Sequence, residues 1–522
     1  LTAQEGAGVP HPRPPCLCAT DCPGSIPSAM LTPDPQPRRP ATGRLLTTLC
    51  GLVVCLLPIT PAHAANIPLA TDILPSGVPL PVPSPTFSPP EEDASTELLG
   101  TMGGARTWLG KKGVRITIQN VEELWGLASG GMQRGATYDG MTAAALSLDT
   151  GKAFGWQGGL LNVSALQIRG RSFTGERLGA LNTVSGYDAG RSTRLFELWY
   201  GQSFLNSTLD VRVGTLDLDT EFLVSQNASF FLNSSFGWPL STSNNLYSGG
   251  PSWPYSAVGG RVKWRAAAPL VLMGAITNDN PTHGPFYSNI SAAQRDPSGT
   301  LFSTKGGALF IGEAQLWLDA AKQIGSRDDV ALPGVWKIGG LYDSGRFPDQ
   351  RYDAQHGLLA SPASSGSPLY HQGNWMAYFV IDQMIWRKEK GSGKTINFFA
   401  RATLSNGTNS RFSSEIQSGF TFDELLPGRP DDTLGLAWGT GLYGLRAKEN
   451  THDSFRLGTN TAGALTPEHH LEFTYQAAAT PWLIVQPDFQ YFWHVGGTSL
   501  NPDTGKHIRN GVVTGLNVTT TF

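Results

Sequence analysis

Residues 483–495, LIVQPDFQYFWHV, alternate in character from one position to the next. One phase contains Phe489, Tyr491 and Trp493, and the other contains Gln486 and Asp488. Side chains of a β-strand point alternately to its two faces, so this spacing predicts a strand with one aromatic, apolar face and one polar face.

The same two-residue period continues on both sides of this stretch. Residues 468–479 and 507–522 each place apolar side chains on one face and small or polar ones on the other. A sheet can cross a bilayer only as a closed ring, because hydrocarbon offers no partner to a free backbone group. The pattern therefore predicts a transmembrane β-barrel with an apolar exterior. A soluble all-β protein, either a sandwich or a β-helix, is the alternative.

The whole of residues 114–522 follows this pattern and predicts an all-β fold, a transmembrane antiparallel barrel of about 16 strands. Its connections alternate between short turns and long loops, as in single-chain barrels whose ends share one side of the membrane. The predicted strands are 114–128, 134–148, 159–169, 193–203, 208–219, 255–267, 270–280, 306–320, 334–344, 374–388, 395–405, 412–422, 432–444, 468–479, 482–495 and 507–522.

The beginning of the chain predicts an export signal. Arg38, Arg39 and Arg44 precede an apolar run at 45–59, and Ala62 and Ala64 flank a suitable cleavage position. We expect residues 1–64 to be a leader with its signal core at 38–64, translation starting at Met30. All five cysteines lie within residues 16–55, so the mature chain is expected to be free of disulfides.

Residues 65–113 form a second predicted segment. Eight prolines between Pro68 and Pro90 exclude sheet pairing and predict an extended tether. A short amphipathic helix is expected at 96–112, ending at Gly113.

The strand predicted at 255–267 is the most informative for function. Arg261, Lys263 and Arg265 share one phase, whereas Val262 and Trp264 lie in the other. Cationic side chains on the lipid face cost several kcal/mol near the midplane, so all three are expected to face the lumen. Guanidinium and ammonium groups there could donate hydrogen bonds to solutes and repel small cations. Alternatively, they could only balance acidic groups of the lumen.

Other side chains are candidates for the lumen as well. Four charged residues occupy the polar phase of aromatic-rich strands, and two tryptophans lie in the long loop after Glu221, where no membrane role explains them. We expect the charged residues to create a transverse field and the tryptophans to stack on solutes. The six residues are Glu197, Glu313, Arg401, Asp488, Trp238 and Trp253.

Catalysis and cofactors find little support in the sequence. His283, His371 and His494 are scattered, and none is placed with a serine and an acid at convincing spacing. His470 and Glu472 are too few ligands for a metal. No catalytic set, metal site or cofactor is therefore predicted. A barrel enzyme of the lipase or protease type and a non-specific porin remain the alternatives to a selective channel.

Several motifs resemble the OprB family of carbohydrate-selective porins. The resemblance covers nearly all of residues 103–522 and rests on the order and spacing of the motifs together. Met102 departs from the family pattern, which usually has Trp before the glycine pair. The motifs are Gly103-Gly104-Ala105-Arg106, Phe196-Glu197-Leu198-Trp199, Glu221-Phe222-Leu223, Gly259-Gly260-Arg261-Val262, Pro427-Gly428-Arg429-Pro430-Asp431-Asp432 and Gln486-Pro487-Asp488.

This resemblance implies a bacterial outer-membrane porin of sixteen strands that passes mono- or oligosaccharides through an arginine-rich constriction. Carbohydrate solutes and outer-membrane lipid are the expected partners, in a monomer or a homotrimer. With 38 basic and 41 acidic residues the formal net charge is −3, so nucleic acid is not expected as a partner.

Overall fold

The computed structural model describes residues 96–318, 332–389, 392–460 and 463–522. The predicted leader and the tether up to residue 95 lie outside this part of the chain. Sixteen antiparallel strands close into a barrel in which β1 pairs with β16. The strands are β1 Val114–Gly131, β2 Gly135–Asp149, β3 Gly159–Gly170, β4 Ser192–Phe204, β5 Leu209–Leu216, β6 Ala257–Ala267, β7 Leu270–Asn278, β8 Ala308–Leu318, β9 Gly334–Asp353, β10 Pro368–Arg387, β11 Thr395–Ser405, β12 Phe412–Asp423, β13 Thr433–Tyr443, β14 His469–Thr480, β15 Leu483–Trp493 and β16 Arg509–Thr521.

The two faces of the wall have the opposite polarity to those of a soluble sheet. In β15, Gln486, Asp488 and Gln490 are buried inside, whereas Phe489 is exposed outside. Leu516 of β16, paired with Pro487, is likewise exposed. An exterior of large apolar side chains around a polar interior is what a barrel in lipid requires. The predicted barrel of about 16 strands is therefore confirmed.

Short helices occupy the N-terminal segment and the connections. They are α1 Ala105–Lys111, α2 Thr150–Phe154, α3 Leu240–Asn245, α4 Ala292–Arg295, α5 Leu445–Arg456 and α6 Val495–Thr498. At one end of the barrel the connections are short, as at 268–269 and 481–482. At the other end most are long, and the one joining β5 to β6 is the longest of those between described strands.

The predicted strands leave a loop at 345–373, and this prediction is wrong at both ends of the loop. β9 continues to Asp353 and β10 begins at Pro368, so the two strands form a tall hairpin. Helix α5 packs on this extension, where Arg351 pairs with Glu449 at 2.7 Å and with Asp453 at 2.8 Å. Residues 345–353 and 368–373 do not alternate regularly between apolar and polar side chains, so the pattern that predicts a strand is lost there.

The N-terminal segment fastens the seam between β1 and β16. Helix α1 is shorter than the predicted helix 96–112, because Gly103 and Gly104 adopt φ values of 68° and 92° just before it. Arg106 pairs with Glu97 and donates to the backbone oxygen of Phe522 at 2.8 Å. This side chain is thus shared between the segment before β1 and the end of β16.

Within the described ranges, we find no helix with the length and apolar character needed to cross a membrane.

Candidate pore constriction

Residues 217–256, between β5 and β6, fold into the barrel and are called here the inward loop. The loop contacts the inner wall at many strands, including β8, β10, β12 and β14. Its apolar side chains pack against one another and against the inner wall. Phe231 and Phe236, for example, lie with ring centroids 5.7 and 5.9 Å from that of Phe399 on β11.

Wall carboxylates hold the backbone of the inward loop, most completely at Asp382 of β10. Its two oxygens accept hydrogen bonds from the Ser225 hydroxyl at 2.6 Å and from the amides of Gln226 and Asn227 at 3.1 and 3.2 Å. The Asn227 side chain adds a fourth bond at 3.0 Å. A carboxylate that accepts several amide bonds stabilises an otherwise exposed turn of backbone.

Two further acids act in the same way. Glu313 of β8 accepts from the amide of Leu223 at 3.0 Å and from the hydroxyl of Tyr378 at 2.8 Å. Glu472 of β14 accepts from the amides of Leu232 and Asn233 at 2.6 and 3.0 Å. These three carboxylates attach the backbone of the loop to β8, β10 and β14.

Arg401 of β11 provides the complementary attachment to loop carbonyl groups. Its guanidinium donates to the backbone oxygens of Leu223 at 3.0 Å, Gly237 at 2.8 Å and Ser235 at 2.6 Å. The planar fork of arginine suits such simultaneous donation. Arg401 is consequently buried, and its charge serves to fix the loop.

A second cluster of charges joins the start of the inward loop to β5 and β6. Glu221 of the loop accepts hydrogen bonds from Arg212 at 2.8 Å and from Arg261 at 2.9 Å. Arg261 also pairs with Asp210. The guanidinium of Arg212 lies over the ring of Trp199, 4.2 Å from its centroid. We call Asp210, Arg212, Glu221, Arg261 and Lys263 the cation cluster.

The cation cluster holds Glu221 in its charged form. Burial raises the pKa of the Glu221 carboxyl, but Arg212, Arg261 and Lys263 together outweigh burial and lower this pKa from 4.5 to about 2. With three basic and two acidic groups, the cluster keeps a net positive charge.

The three basic residues predicted on β6 have different surroundings. Val262 and Trp264 are exposed on the outer face, so Arg261 and Lys263 point inward, as their phase predicted. Arg261 is only 2% exposed because Asp210 and Glu221 enclose it. Lys263 is exposed and Arg265 is half-buried.

The other predicted lumen residues lie inside the barrel but beneath the loop. Glu197, Glu313, Arg401 and Asp488 are all buried. Glu197 accepts from the amide of Asp217 at 3.1 Å, and Asp488 accepts from the side chain of Gln490 at 3.0 Å. The neighbours of these side chains in the sequence do not explain their burial. Glu197, Glu313 and Arg401 bond to the inward loop, and Asp488 bonds to a neighbouring side chain of the wall.

The two tryptophans of the inward loop are packed rather than projecting. Trp238 is 8% exposed and donates from its indole nitrogen to the backbone oxygen of Gly249 at 2.9 Å. Trp253 is partly buried, with its ring edge-on to Tyr187 at 5.9 Å between centroids. Little of Trp238 is available for stacking on a solute.

Sequence reasoning missed several residues that organise this site. Asp210 and Arg212 occupy the polar phase of β5 and alternate with Val211 and Val213, so the same alternation that identified Arg261 could have found them. Asp382 gave no such signal of its role, because its partners are backbone amides, which carry no mark in a sequence.

No group of three or more His, Cys, Asp or Glu residues that could hold a metal ion occurs in the described part of the chain.

Known proteins resemble this chain in both sequence and fold. Porin B of Pseudomonas aeruginosa is 24% identical over 449 residues, covering 81% of this chain and 91% of that protein. A putative porin, QuiX, of Acinetobacter baylyi is 21% identical over 444 residues, covering 81% and 93%. The high-pH structure of Pseudomonas putida OprB superposes with a TM-score of 0.71 at 21% identity, covering 82% of this chain and 99% of that one.

A family profile also covers most of the sequence. The profile of the carbohydrate-selective porin, OprB family, matches residues 133–522. Together with the closed barrel, this match makes the protein a channel of the Gram-negative outer membrane. The chain belongs to the OprB family of carbohydrate-selective porins.

Proposed function

We propose that the protein is a passive channel for mono- or oligosaccharides, with its narrowest passage beside the cation cluster. The attachment of Glu221 to Arg212 and Arg261 supports this proposal. It fixes the inward loop against the wall that also bears Lys263. A solute passing there meets a loop whose position is set before the solute arrives, so little entropy is lost in ordering the loop.

Of the basic residues on β6, we assign solute contact first to Lys263 and then to Arg265. Lys263 is exposed, whereas Arg261 is enclosed by two carboxylates. The ammonium group of Lys263 can donate hydrogen bonds to sugar hydroxyls and repel small cations. Arg261 and Arg212 then hold the loop. The basic residues of β6 thus serve both of the roles considered above, because Lys263 lines the pore and Arg261 balances acidic groups.

Lys263→Gln tests this assignment, because it removes the charge and nearly keeps the length. A charge about 4 Å from a permeating ion is worth about 1 kcal/mol in water, so we expect the anion-to-cation permeability ratio to fall by up to about fivefold. Sugar block of the current should weaken by about tenfold, the value of one charge-assisted hydrogen bond. Reversal potentials in a KCl gradient and sugar titrations in planar bilayers measure both effects.

Lys388→Gln is the matched control, since Lys388 lies in the connection after β10 and is 60% exposed. It should leave both quantities unchanged. If Lys263→Gln also changes neither, the residue is not part of the constriction. Hydrolysis of esters or peptides by the wild-type protein would instead favour the alternative of a barrel enzyme.

A further inference from the structure

The end of the barrel with the short connections carries an exposed surface of aromatic and basic side chains. It is formed by helix α1 and by the connection between β2 and β3, which contains helix α2. We call this surface the basal patch. Its members are Trp108, Lys111, Lys112, Lys152, Phe154 and Trp156.

A backbone contact joins the two halves of the basal patch. The amide of Asp149, just before α2, donates to the carbonyl oxygen of Gly113, just after α1, at 2.8 Å. A Cβ at Gly113 would lie 3.0 Å from the Cβ of Lys152. Lys112 and Lys152 therefore leave the backbone close to each other, and Lys111 precedes them in the last turn of α1.

The lysines of the basal patch have no acidic partner. All three are exposed, and none forms an ion pair with another residue in the described part of the chain. The nearest acid along the chain, Asp149, caps α2 by accepting from the amides of Gly151 at 2.8 Å and Lys152 at 3.1 Å. Three ammonium groups beside one carboxylate leave the patch with a net positive charge.

The aromatic members lie at the edge of the lipid-facing wall. The indole nitrogen of Trp156 donates to the side-chain oxygen of Gln202 at 2.9 Å. Gln202 shares the outward phase of β4 with the exposed Phe204, so Trp156 lies on the outer side of the barrel. Trp108 and Phe154 are 62% and 75% exposed. Aromatic side chains at the end of a membrane-spanning wall are typical of the level where headgroups meet hydrocarbon.

An exposed apolar surface continues from the basal patch. Leu146, on the outward phase of β2 three residues before Asp149, is exposed on the wall. Leu98, Leu99 and Met102, ahead of α1, are exposed as well. The patch thus adjoins the surface that acyl chains cover, with its lysines at the end of the wall. This order of groups matches the two parts of a phospholipid, its chains and its charged headgroup.

We propose that the basal patch binds an anionic phospholipid, with Lys111, Lys112 and Lys152 around the headgroup phosphate. Short connections of outer-membrane barrels face the periplasm, so this lipid belongs to the inner leaflet of the outer membrane. The ammonium groups donate hydrogen bonds to phosphate oxygens and attract the net negative charge. A zwitterionic headgroup brings its own cation, which the lysines repel. The binding is independent of the solute that the channel passes.

Native mass spectrometry of the mature protein with equal amounts of phosphatidylglycerol and phosphatidylcholine tests the proposal. We expect the wild type to bind phosphatidylglycerol at least about tenfold more tightly, because each lysine near a membrane surface contributes about fivefold before screening by salt. Lys111→Gln/Lys112→Gln/Lys152→Gln should remove most of this preference. Equal binding of the two lipids by the wild type, or an unchanged preference in the triple variant, would overturn the proposal.

The matched control removes three exposed lysines from the long connections at the opposite end of the barrel, in Lys305→Gln/Lys448→Gln/Lys506→Gln. This variant should keep the wild-type preference, and resistance of the folded band to SDS confirms that both triple variants fold. An equal loss of preference in the control would show that net charge, and not the basal patch, selects the lipid.

Soluble glycerol phosphate separates a lipid site from a site for phosphate groups in general. It has the charged part of phosphatidylglycerol but no acyl chains, so an excess should leave the bound lipid in place. Displacement of the lipid by glycerol phosphate would overturn the assignment to a phospholipid.

The depth of Phe154 provides an independent measurement. All five cysteines lie within residues 16–55, so Phe154→Cys gives the expected mature chain a single thiol for a nitroxide label. Glu389→Cys, in the connection after β10, is the control. In vesicles, we expect the ratio of collisions with oxygen, which dissolves in lipid, to collisions with a water-soluble nickel chelate to be severalfold higher at position 154. Equal ratios at the two positions would place Phe154 in water and contradict the proposal.

Discussion

At the scale of single residues, Glu221 is the group that joins the inward loop to Arg212 and Arg261. The decrease of its pKa from 4.5 to about 2 corresponds to about 3 kcal/mol of preference for the charged carboxylate in the folded protein. Glu221→Gln leaves Arg212 and Arg261 with weaker partners. We expect the free energy of unfolding to fall by about 2 to 3 kcal/mol and the open-channel current to become noisier, measured by thermal unfolding in detergent and by single-channel recording.

The control for this prediction is Glu389→Gln, since Glu389 has a side chain that is 70% exposed in the connection after β10. Its effect on stability should be within about 0.5 kcal/mol. A Glu221→Gln protein as stable and as quiet as this control would exclude a fixing role for Glu221.

The same pKa predicts how the attachment of the inward loop responds to acid. Because the folded-state pKa of Glu221 lies below its ordinary value, its stabilising contribution is complete above about pH 5, declines below 4.5 and is lost as the pH falls through about 2. Channel noise attributable to the loop should therefore stay constant from pH 7 to about pH 5. If the channel noise of the wild type increases between pH 7 and about pH 5 and that of Glu221→Gln does not, the assignment of this low pKa to Glu221 is contradicted.

At the scale of elements, the inward loop is held by wall carboxylates acting on its backbone. Asp382→Asn keeps the shape of the side chain but replaces an acceptor oxygen with a donor that faces the amides of Gln226 and Asn227. We expect hydrogen exchange at these two amides to accelerate by about tenfold or more, the equivalent of one lost hydrogen bond. Exchange mass spectrometry of the loop peptides measures the change.

Glu389→Gln is again the reference, since that carboxylate lies outside the barrel wall. Exchange in the β16 strand should be the same in both variants. If Asp382→Asn leaves the exchange of Gln226 and Asn227 unaltered, the loop is held by its aromatic packing on Phe399 rather than by this carboxylate.

The sequence predicted most of the strands but not all of the secondary structure. Strict alternation predicted the membrane-facing strands, because lipid on one side and polar groups on the other impose it on every second residue. It predicted the inward direction of Arg261 and Lys263 for the same reason. It did not predict that β9 continues to Asp353 or that β10 begins at Pro368, because residues 345–353 and 368–373 do not alternate regularly between apolar and polar side chains.

The site was predictable only in part. The direction of Glu313 and Arg401 followed from their phase, but their partners did not, because the loop meets them through backbone amides and carbonyls. Whether Arg261 is exposed or enclosed depends on Glu221, forty residues earlier in the chain, and no local pattern encodes that contact.

At the scale of the whole molecule, the ring is closed by the pairing of β1 with β16 and reinforced by Arg106. Arg106→Ala leaves Glu97 buried without its cationic partner and frees the backbone oxygen of Phe522. We expect a loss of about 3 kcal/mol in unfolding free energy, seen as a lower temperature at which the folded barrel unfolds in SDS. Adding Glu97→Gln should restore part of the loss. Equal stability of Arg106→Ala and the wild type would show that the seam does not need this side chain.

Passage of carbohydrates through the closed ring can be measured as solute uptake into proteoliposomes. We expect neutral mono- and oligosaccharides to enter liposomes containing the protein faster than zwitterionic solutes of the same size, and empty liposomes to admit neither. Uptake equal to that of empty liposomes, or equal for all solutes of one size, would contradict the account of a carbohydrate-selective channel.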